Sequence, residues 1–353
     1  MPASLDMNSP GLATRPERAA DRRVVSVRAP GRLHLGFLDP GGSLGRRYGS
    51  LGLVVDGFET QVDLSGATAR RVTGATPSAQ AEIDRAESHL HVLRRQTGLT
   101  QPLHLHLEKV LPAHAGLGSG TQLALAIGRA FALWHGLDVP SATLARWLGR
   151  GLRSGVGIGG FEQGGLLVDG GPGPDGQPAP VLSRVALPDA WRVVVVLDSQ
   201  HRGLSGHEEK QAIAALPAMP RAVAADICHQ VLMRVLPGAA CAEFASFAAG
   251  ITRVQQQLGA HFAPAQGGEA YTSTSVGRLV RWLGEAAGGE SGAAIGQSSW
   301  GPTGFAILPS QQQADALVEA ARATPLMAPH LTLQIVGGRN RGATLNDPRA
   351  ATA

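Results

Sequence analysis

The segment Pro112-Ala-His-Ala-Gly116-Leu-Gly118-Ser119-Gly120-Thr121 constrains this chain more than any other. Before it, Leu103-His-Leu-His-Leu-Glu-Lys-Val alternates with a period of two, the pattern of a half-buried strand. After it, Gln122 to Trp134 is an apolar run of helical length. Gly116, Gly118 and Gly120 let the backbone come close to a ligand without Cβ clashes. The first N–H groups of the following helix lack intrahelical partners and carry the positive end of its dipole. A strand, glycine loop and helix in this order form an anion site, and phosphate is the natural occupant. Ser119 and Thr121 add hydroxyls able to reach phosphate oxygens or a bound Mg²⁺, which makes them the candidate metal contacts. A turn that merely caps a helix would share the composition, so the loop alone leaves both readings open.

Two common phosphate loops are absent. No lysine follows the glycines as in G-x-x-x-x-G-K-[ST], and there is no G-x-G-x-x-G with an acidic residue about 20 positions on. The segment resembles the second motif of the GHMP kinase superfamily, P-x-x-x-G-L-G-S-S-A, except that Gly120-Thr121 stands where Ser-Ala is usual. Upstream, Ala29-Pro-Gly-Arg32-Leu-His34-Leu-Gly-Phe-Leu-Asp39 resembles the first motif of that superfamily. Downstream, Gly155-Val-Gly-Ile-Gly-Gly-Phe-Glu162-Gln163 resembles the G-V-x-x-G-x-x-D-Q segment of its galactokinase-like members, with Glu162 at their catalytic aspartate. Gly296 to Ala306 takes the place of the third, glycine-rich motif. The resemblance implies an α+β, two-domain GHMP-kinase-like fold, with a ribosomal-S5-like N-terminal domain and a ferredoxin-like C-terminal domain.

Three stretches are similar to one branch of the superfamily that is not a kinase, the β-ribofuranosylaminobenzene 5′-phosphate synthase family. They are Gly160 to Gly171, Arg202-Gly-Leu-Ser205-Gly206, and Gln297-Ser-Ser-Trp300-Gly-Pro-Thr303-Gly304. This resemblance implies condensation of phosphoribosyl pyrophosphate with 4-aminobenzoate, releasing CO₂ and pyrophosphate, early in tetrahydromethanopterin synthesis. It also implies Mg²⁺ accompanying the pyrophosphate. A ring carbon would attack the anomeric carbon, pushed by the para amine, and the ring would regain aromaticity by losing CO₂. Such a site needs a cradle for pyrophosphate, a grip on the 5′-phosphate and a dry slot for a flat arene. An ATP-dependent small-molecule kinase of the parent superfamily is the alternative, and the altered loop end and third motif argue against it. A non-catalytic ligand-binding protein on the same fold is a third possibility.

On that basis Glu162 and Arg202 are the expected catalytic residues. Gly116, Gly118, Ser119, Gly120 and Thr121 would hold phosphates through N–H groups and hydroxyls. Arg28 and Arg32 are candidate clamps, or equally the solvated flanks of a strand end. Ser205 either contacts substrate or starts a helix, since Ser205-Gly-His-Glu208 fits an N-cap box. Glu162 could instead be a helix-start carboxylate held by backbone N–H groups. Trp300 either stacks on the arene or packs under its loop. Gln297, Ser298, Ser299 and Thr303 belong to the same motif, and the first three could bind phosphate or the acceptor's carboxylate. His34 and Asp39 could touch ribose or metal. His104 and His106 share a strand face, but without a third ligand they read as a solvated face rather than a metal pair.

With 353 residues, 43% hydrophobic, the chain can bury a sizeable core, and two domains are expected. The net charge of +4 comes almost wholly from arginine, Lys109 and Lys210 being the only lysines. No basic run interleaved with aromatics suggests nucleic acid. Cys228 and Cys241 match no metal spacing and suit a reducing cytoplasm. No stretch looks like a membrane span or a signal peptide. Residues 1–22 read as a disordered leader, 23–187 and 188–341 as the two domains, and 342–353 as a tail. Strands are expected at 24–29, 52–62, 103–110, 166–168, 191–197, 305–308 and 331–336. Helices are expected around 207–216, 221–236, 241–258, 276–287 and 311–323, and a surface loop at 170–178. Apolar helices in the second domain could support a homodimer.

Overall fold

The computed structural model describes residues 23–173, 176–203, 211–212 and 215–351. The expected leader, Ser205 and most of the expected 207–216 helix lie outside them.

Two long antiparallel strands, β1 (Val24–Asp39) and β2 (Tyr48–Gly66), form the spine of the first sheet. The strand expected to end at Ala29 continues through the whole first motif. Proline lacks the N–H that a regular ladder requires, and the register shifts between Pro30 and Arg32, then again between His34 and Gly36. These bulges let one strand serve two cores. Val25, Val27 and Ala29 enter one apolar cluster, whereas Leu33 and Leu35 enter another.

The sheet is completed by β3 (Arg71–Gly74), β4 (Leu103–Lys109), β5 (Leu166–Asp169) and β6 (Val181–Val185), with order β3-β4-β2-β1 and β5 and β6 continuing from β2. Helices α1 (Pro77–Gln80), α2 (Ile83–Thr97), α3 (Ser119–His135), α4 (Ser141–Trp147) and α5 (Val156–Glu162) belong to this half. Leu123, Ile127 and Phe131 of α3 pack with Leu90 and Leu93 of α2 onto Val62, Leu64 and Leu105 of the sheet.

The second sheet has four strands, β7 (Arg192–Asp198), β8 (Ala294–Gln297), β9 (Gly304–Leu308) and β10 (Leu331–Gly337), in the order β10-β7-β9-β8 and antiparallel throughout. Numbered within the half, that order is 4-1-3-2, the ferredoxin-like arrangement. The continuous apolar run Val193 to Val196 follows from burial on both faces. Val193 and Val195 join the cluster shared with the first sheet, and Val194 and Val196 join a separate one. That separate cluster holds apolar residues of α9 (Thr274–Ala286) and α10 (Gln311–Arg322).

Between the two sheets lies α8 (Phe244–Phe262), whose Phe247, Ile251 and Leu258 pack with Leu33 and Leu35. The preceding helical stretch is not one α-helix. It runs as α6 (Arg221–Gln230), a π-helical turn over Val231–Val235, and α7 (Leu236–Ala240). Pro237 supplies no N–H to the ladder, which accounts for the irregularity. Residues 342–353, expected to be a tail, include an edge strand β11 (Thr344–Asn346) paired with β1 from Ser26 to Arg28. A three-residue strand of exposed residues carries too little apolar pattern to be read from sequence. Among the described residues no helix is long and apolar enough to cross a membrane.

Candidate active site

The strand β4 delivers the chain to the glycine loop, and α3 begins at Ser119 with Gly118 as its N-cap at φ 80°. Gly118 therefore occupies the left-handed region that favours glycine. No side chain caps the helix, so its first N–H groups keep their anion-binding capacity.

Three distant segments close on this loop. From β1, the Arg32 N–H donates to Leu117 O at 3.1 Å, and Arg32 Nη1 donates to Gly116 O at 2.9 Å. From the third motif, Ser298 Oγ donates to Gly116 O at 2.7 Å while accepting from the His34 N–H at 2.9 Å. The Ser299 N–H then donates to His34 O at 3.1 Å. From the segment after β7, the Gly203 N–H donates to His114 O at 3.0 Å. Contact is close enough that a Cβ on Gly116 would stand 2.4 Å from Ser298 O. The glycines therefore serve two purposes, the helix N-cap and backbone-to-backbone docking.

Asp198 at the end of β7 fixes the third segment. Its Oδ1 accepts the Gln200 and His201 N–H groups at 2.8 and 3.2 Å, and its Oδ2 accepts Ser273 Oγ at 2.6 Å and meets His201 Nδ1 at 2.8 Å. Burial pushes its carboxyl upward, but the Ser273 hydroxyl, the backbone N–H groups and His201 outweigh this and leave it lowered. Asp169 does comparable work at the start of α5. It accepts from the Gly155 and Val156 N–H groups at 2.7 and 3.2 Å through Oδ2, and from the Gly171 N–H at 2.8 Å through Oδ1. Its carboxyl is nevertheless raised, because burial outweighs those bonds. This sets the start of α5 against Thr121, whose methyl would lie 3.1 Å from a Cβ on Gly157.

Beside the loop is a cavity of about 30 Å³ walled by His34, Phe37, Gln255, Phe262, Gln297 and Trp300. His34 is 2% exposed, and neither of its ring nitrogens has a hydrogen-bond partner among the described residues. Burial, then the nearby Arg32 and Arg153 guanidinium groups, hold its imidazole well below the usual histidine range. Trp300 is buried with its ring 4.7 Å from that of Phe262, and its Nε1 also lacks a partner among the described residues. A second cavity of about 260 Å³ shares Phe262 with the first and is walled by Arg47, Tyr48, Arg153, Met219 and His261.

The expected residues fare unevenly. Gly116, Gly118, Ser119, Gly120, Thr121, Arg32, His34 and residues 297–303 converge. Within the third motif, however, the roles are largely internal. Gln297 accepts the Thr272 N–H at 2.6 Å and donates to Gln266 Oε1 at 2.9 Å and Ser299 O at 2.8 Å. Ser298 is fully buried and is consumed by Gly116 and His34. Thr303 is buried, its carbonyl accepts the Ser298 N–H at 2.9 Å, and its hydroxyl has no partner among the described residues.

Three expectations need correction, and Arg202 is placed only through its neighbour. Glu162 is exposed at the C-terminal end of α5, neither at its start nor at the loop. It acts on Arg129, which lies ten residues along α3 from Ser119, roughly 15 Å of helix. Arg28 is exposed on the face of β1 away from the helices, in register with Gln61 and Thr344. Asp39 is spent on a turn, accepting the Gly42 and Ser43 N–H groups at 2.8 and 2.7 Å. The Arg202 side chain is exposed, and it is its neighbour Gly203 that docks on the loop. The pair His104 and His106 shares Thr73 Oγ1 at 2.8 and 2.7 Å, and the described residues contain no cluster of three metal-binding groups.

Sequence reading missed several residues. Gln255, Leu258, Gly259, Phe262 and Gln266 all line the small cavity. The first four, spaced three, four and seven along α8, share one helix face, and Gln266 ends the 3-10 turn that follows it, a visible signal without an address. Arg150 also escaped notice, although its Nη1 would lie 3.3 Å from a Cβ on Gly120. It faces His89 and Arg85 of α2, and burial followed by those two arginines' repulsion lowers the His89 imidazole to about 4.

Comparison with known proteins places this geometry. Residues 85–165 match the GHMP kinases N terminal domain, and residues 242–325 match the GHMP kinases C terminal family. The beta-ribofuranosylphenol 5′-phosphate synthase of Archaeoglobus fulgidus is 30% identical over 300 residues, covering 81% of this chain and 88% of that protein. The chain belongs to the beta-ribofuranosylphenol 5′-phosphate synthase family. The Methanothermobacter thermautotrophicus protein of that name is 28% identical over 335 residues, covering 90% of this chain and 97% of its own. Homoserine kinase from Cytophaga hutchinsonii has the same fold, with a TM-score of 0.65 at 17% identity over 94% of this chain and 100% of its own. Streptococcus pneumoniae phosphomevalonate kinase superposes with a TM-score of 0.64 at 13% identity over 90% of this chain and 100% of its own. This synthase family thus shares the fold of these kinases.

Proposed function

We propose that the protein forms a C-glycoside from phosphoribosyl pyrophosphate and a para-substituted benzoate, releasing pyrophosphate and CO₂. The observation that carries this reading is the uncapped α3 N-terminus, closed by Arg32 and Ser298, directly beside the cavity holding His34 and Trp300. N–H groups fixed by folding stabilise charge as it develops on leaving pyrophosphate without reorganising. Arg32 and Arg150 flank the loop and add fixed positive charge. Arg47 and Arg153, on the larger cavity, are suited to the 5′-phosphate.

The relatives' name carries a phenol where the sequence reading expected an aminobenzene. Both substituents push electron density to the para carbon that bears the carboxylate, so either ring can act as the nucleophile. Mg²⁺ is proposed to arrive on the pyrophosphate. The Ser119 and Thr121 hydroxyls are neutral donors and no cluster of three acidic, histidine or cysteine groups accompanies them among the described residues. They do not make a Mg²⁺ cage of their own, and substrate oxygens and water would supply most of its ligands.

The test is incubation with phosphoribosyl pyrophosphate, Mg²⁺ and carboxyl-labelled 4-hydroxybenzoate or 4-aminobenzoate, counting labelled CO₂. CO₂ dependent on both substrates is expected. ATP consumption with small alcohols and no CO₂ would overturn the reading in favour of a kinase.

A further inference from the structure

Resting on the C-glycoside reading, we propose that His34 is a catalytic proton acceptor for a phenolic ring, taking its para-hydroxyl proton as the ring carbon attacks the anomeric carbon.

Buried polar atoms almost always have hydrogen-bond partners. Here both His34 ring nitrogens and Trp300 Nε1 have none among the described residues, and all belong to side chains lining one cavity. Such a set offers one acceptor and at least one donor to whatever enters, which matches a hydroxyl. The size agrees. A cavity of about 30 Å³ admits a hydroxyl or a single water, whereas a benzene-sized guest needs about 150 Å³. The ring's polar substituent therefore enters, and the ring stays on the loop side. The chain Gly116 O, Ser298 Oγ, His34 N–H ties this cavity to the cradle by two hydrogen bonds.

The charged groups acting on His34 are Arg32 from β1 and Arg153 from the segment before α5. With burial they keep the imidazole neutral, so one ring nitrogen offers a lone pair. A weak base suffices, because the phenol becomes strongly acidic only once its ring has given electrons away.

The step balances as follows. The hydroxyl oxygen feeds the ring, the carboxylate-bearing carbon bonds to the anomeric carbon, and the bond to pyrophosphate breaks with its electron pair. The hydroxyl proton passes to His34, leaving a cyclohexadienone and an imidazolium. The bond to the carboxylate then breaks, its pair restores the arene, CO₂ departs, and the oxygen recovers the proton from His34. Trp300 Nε1–H is the donor for the carbonyl-like oxygen between the two steps. An amine acceptor needs no such partner, because an iminium N–H holds its protons far better than a protonated carbonyl.

The experiment compares 4-hydroxybenzoate and 4-aminobenzoate in the wild-type protein and in His34→Gln. A positioned general base contributes about 10²–10⁴ in rate. The expected result is a fall of that size in kcat with 4-hydroxybenzoate and less than about tenfold with 4-aminobenzoate. Equal falls, or none, overturn the role of His34 while leaving the C-glycoside reading intact. No CO₂ from either ring in the wild-type protein overturns both. Should His34→Gln not fold, a solvent deuterium effect on wild-type kcat is expected with 4-hydroxybenzoate and not with 4-aminobenzoate, and identical effects overturn the proposal.

Discussion

Replacing Gly116 by alanine tests whether the loop is held by tertiary docking or simply by its own turn geometry. Two costs apply. Gly116 has φ 89°, a region that costs an alanine about 1–2 kcal/mol. The new methyl would also sit 2.4 Å from Ser298 O, where a relaxed carbon-to-oxygen contact is about 3.3 Å. Roughly 0.9 Å must therefore open between two backbones, and overpacking of this kind costs about 1–3 kcal/mol. The sum is about 2–5 kcal/mol, within the stability of an ordinary domain. Gly98, the C-cap of α2, is the control. It has φ 72° but nothing within 4 Å of its would-be Cβ, so Gly98→Ala carries the backbone cost alone, about 1 kcal/mol. Urea denaturation with unchanged m-values measures both. Gly116→Ala should be the more destabilised by about 1–3 kcal/mol, and should also lose at least about tenfold in CO₂ release while Gly98→Ala keeps it. If the two variants are equally stable, Gly116 is a local turn residue and the docking argument fails.

Ser298→Ala leaves Gly116 O without its hydroxyl donor and the His34 N–H without an acceptor at a fully buried position, so a loss of about 2–4 kcal/mol in denaturant titration is expected. Asp169→Asn puts an amide N–H₂ among three backbone donors, and a loss of about 2 kcal/mol with weakened α5 protection in hydrogen exchange should follow. Glu162→Gln, far from the loop, should retain wild-type CO₂ release. A tenfold fall would return Glu162 to the site. His89 provides a pH test. Its folded value, about 4, lies below its ordinary 6.5, so the unfolded chain takes up a proton that the folded chain refuses. Stability is full above pH 6.5 and falls towards pH 4, by about 3 kcal/mol from this group. His89→Leu should flatten that slope by about one proton, and an unchanged slope would refute the assignment.

The four motifs and the strand-loop-helix unit could be read from residue patterns, because each depends on local periodicity and glycine placement, whereas the ferredoxin-like second half came only from the family resemblance and its strand at Ala294–Gln297 was not expected. Glu162 shows where that reading stops. Its motif match set it at a catalytic aspartate, with a helix-start carboxylate as the alternative, yet α5 begins at Val156, and its seven residues carry Glu162 to the opposite end. Arg28 fails for a related reason. The bulges at Pro30 and His34 break the alternation, so its face cannot be counted forward to that of Arg32. Ser298 looked like a ligand-binding hydroxyl because nothing in the sequence says that Gly116 O and the His34 N–H will compete for it.

By itself the sequence determined the strand, glycine loop and helix start of the proposed anion cradle. Glycines at 116 and 118 meet left-handed φ values of 89° and 80°, and an uncapped helix N-terminus presents N–H groups that suit an anion. Tertiary structure alone decided which side chains face that cradle. His34, Gln255 and Trp300 are far apart in sequence, on a bulged strand, a helix and a loop, and only packing of α8 between the two sheets brings them around one cavity. Periodicity assigns a residue to a face of its own element, but which other element covers that face depends on long-range burial that no local window contains.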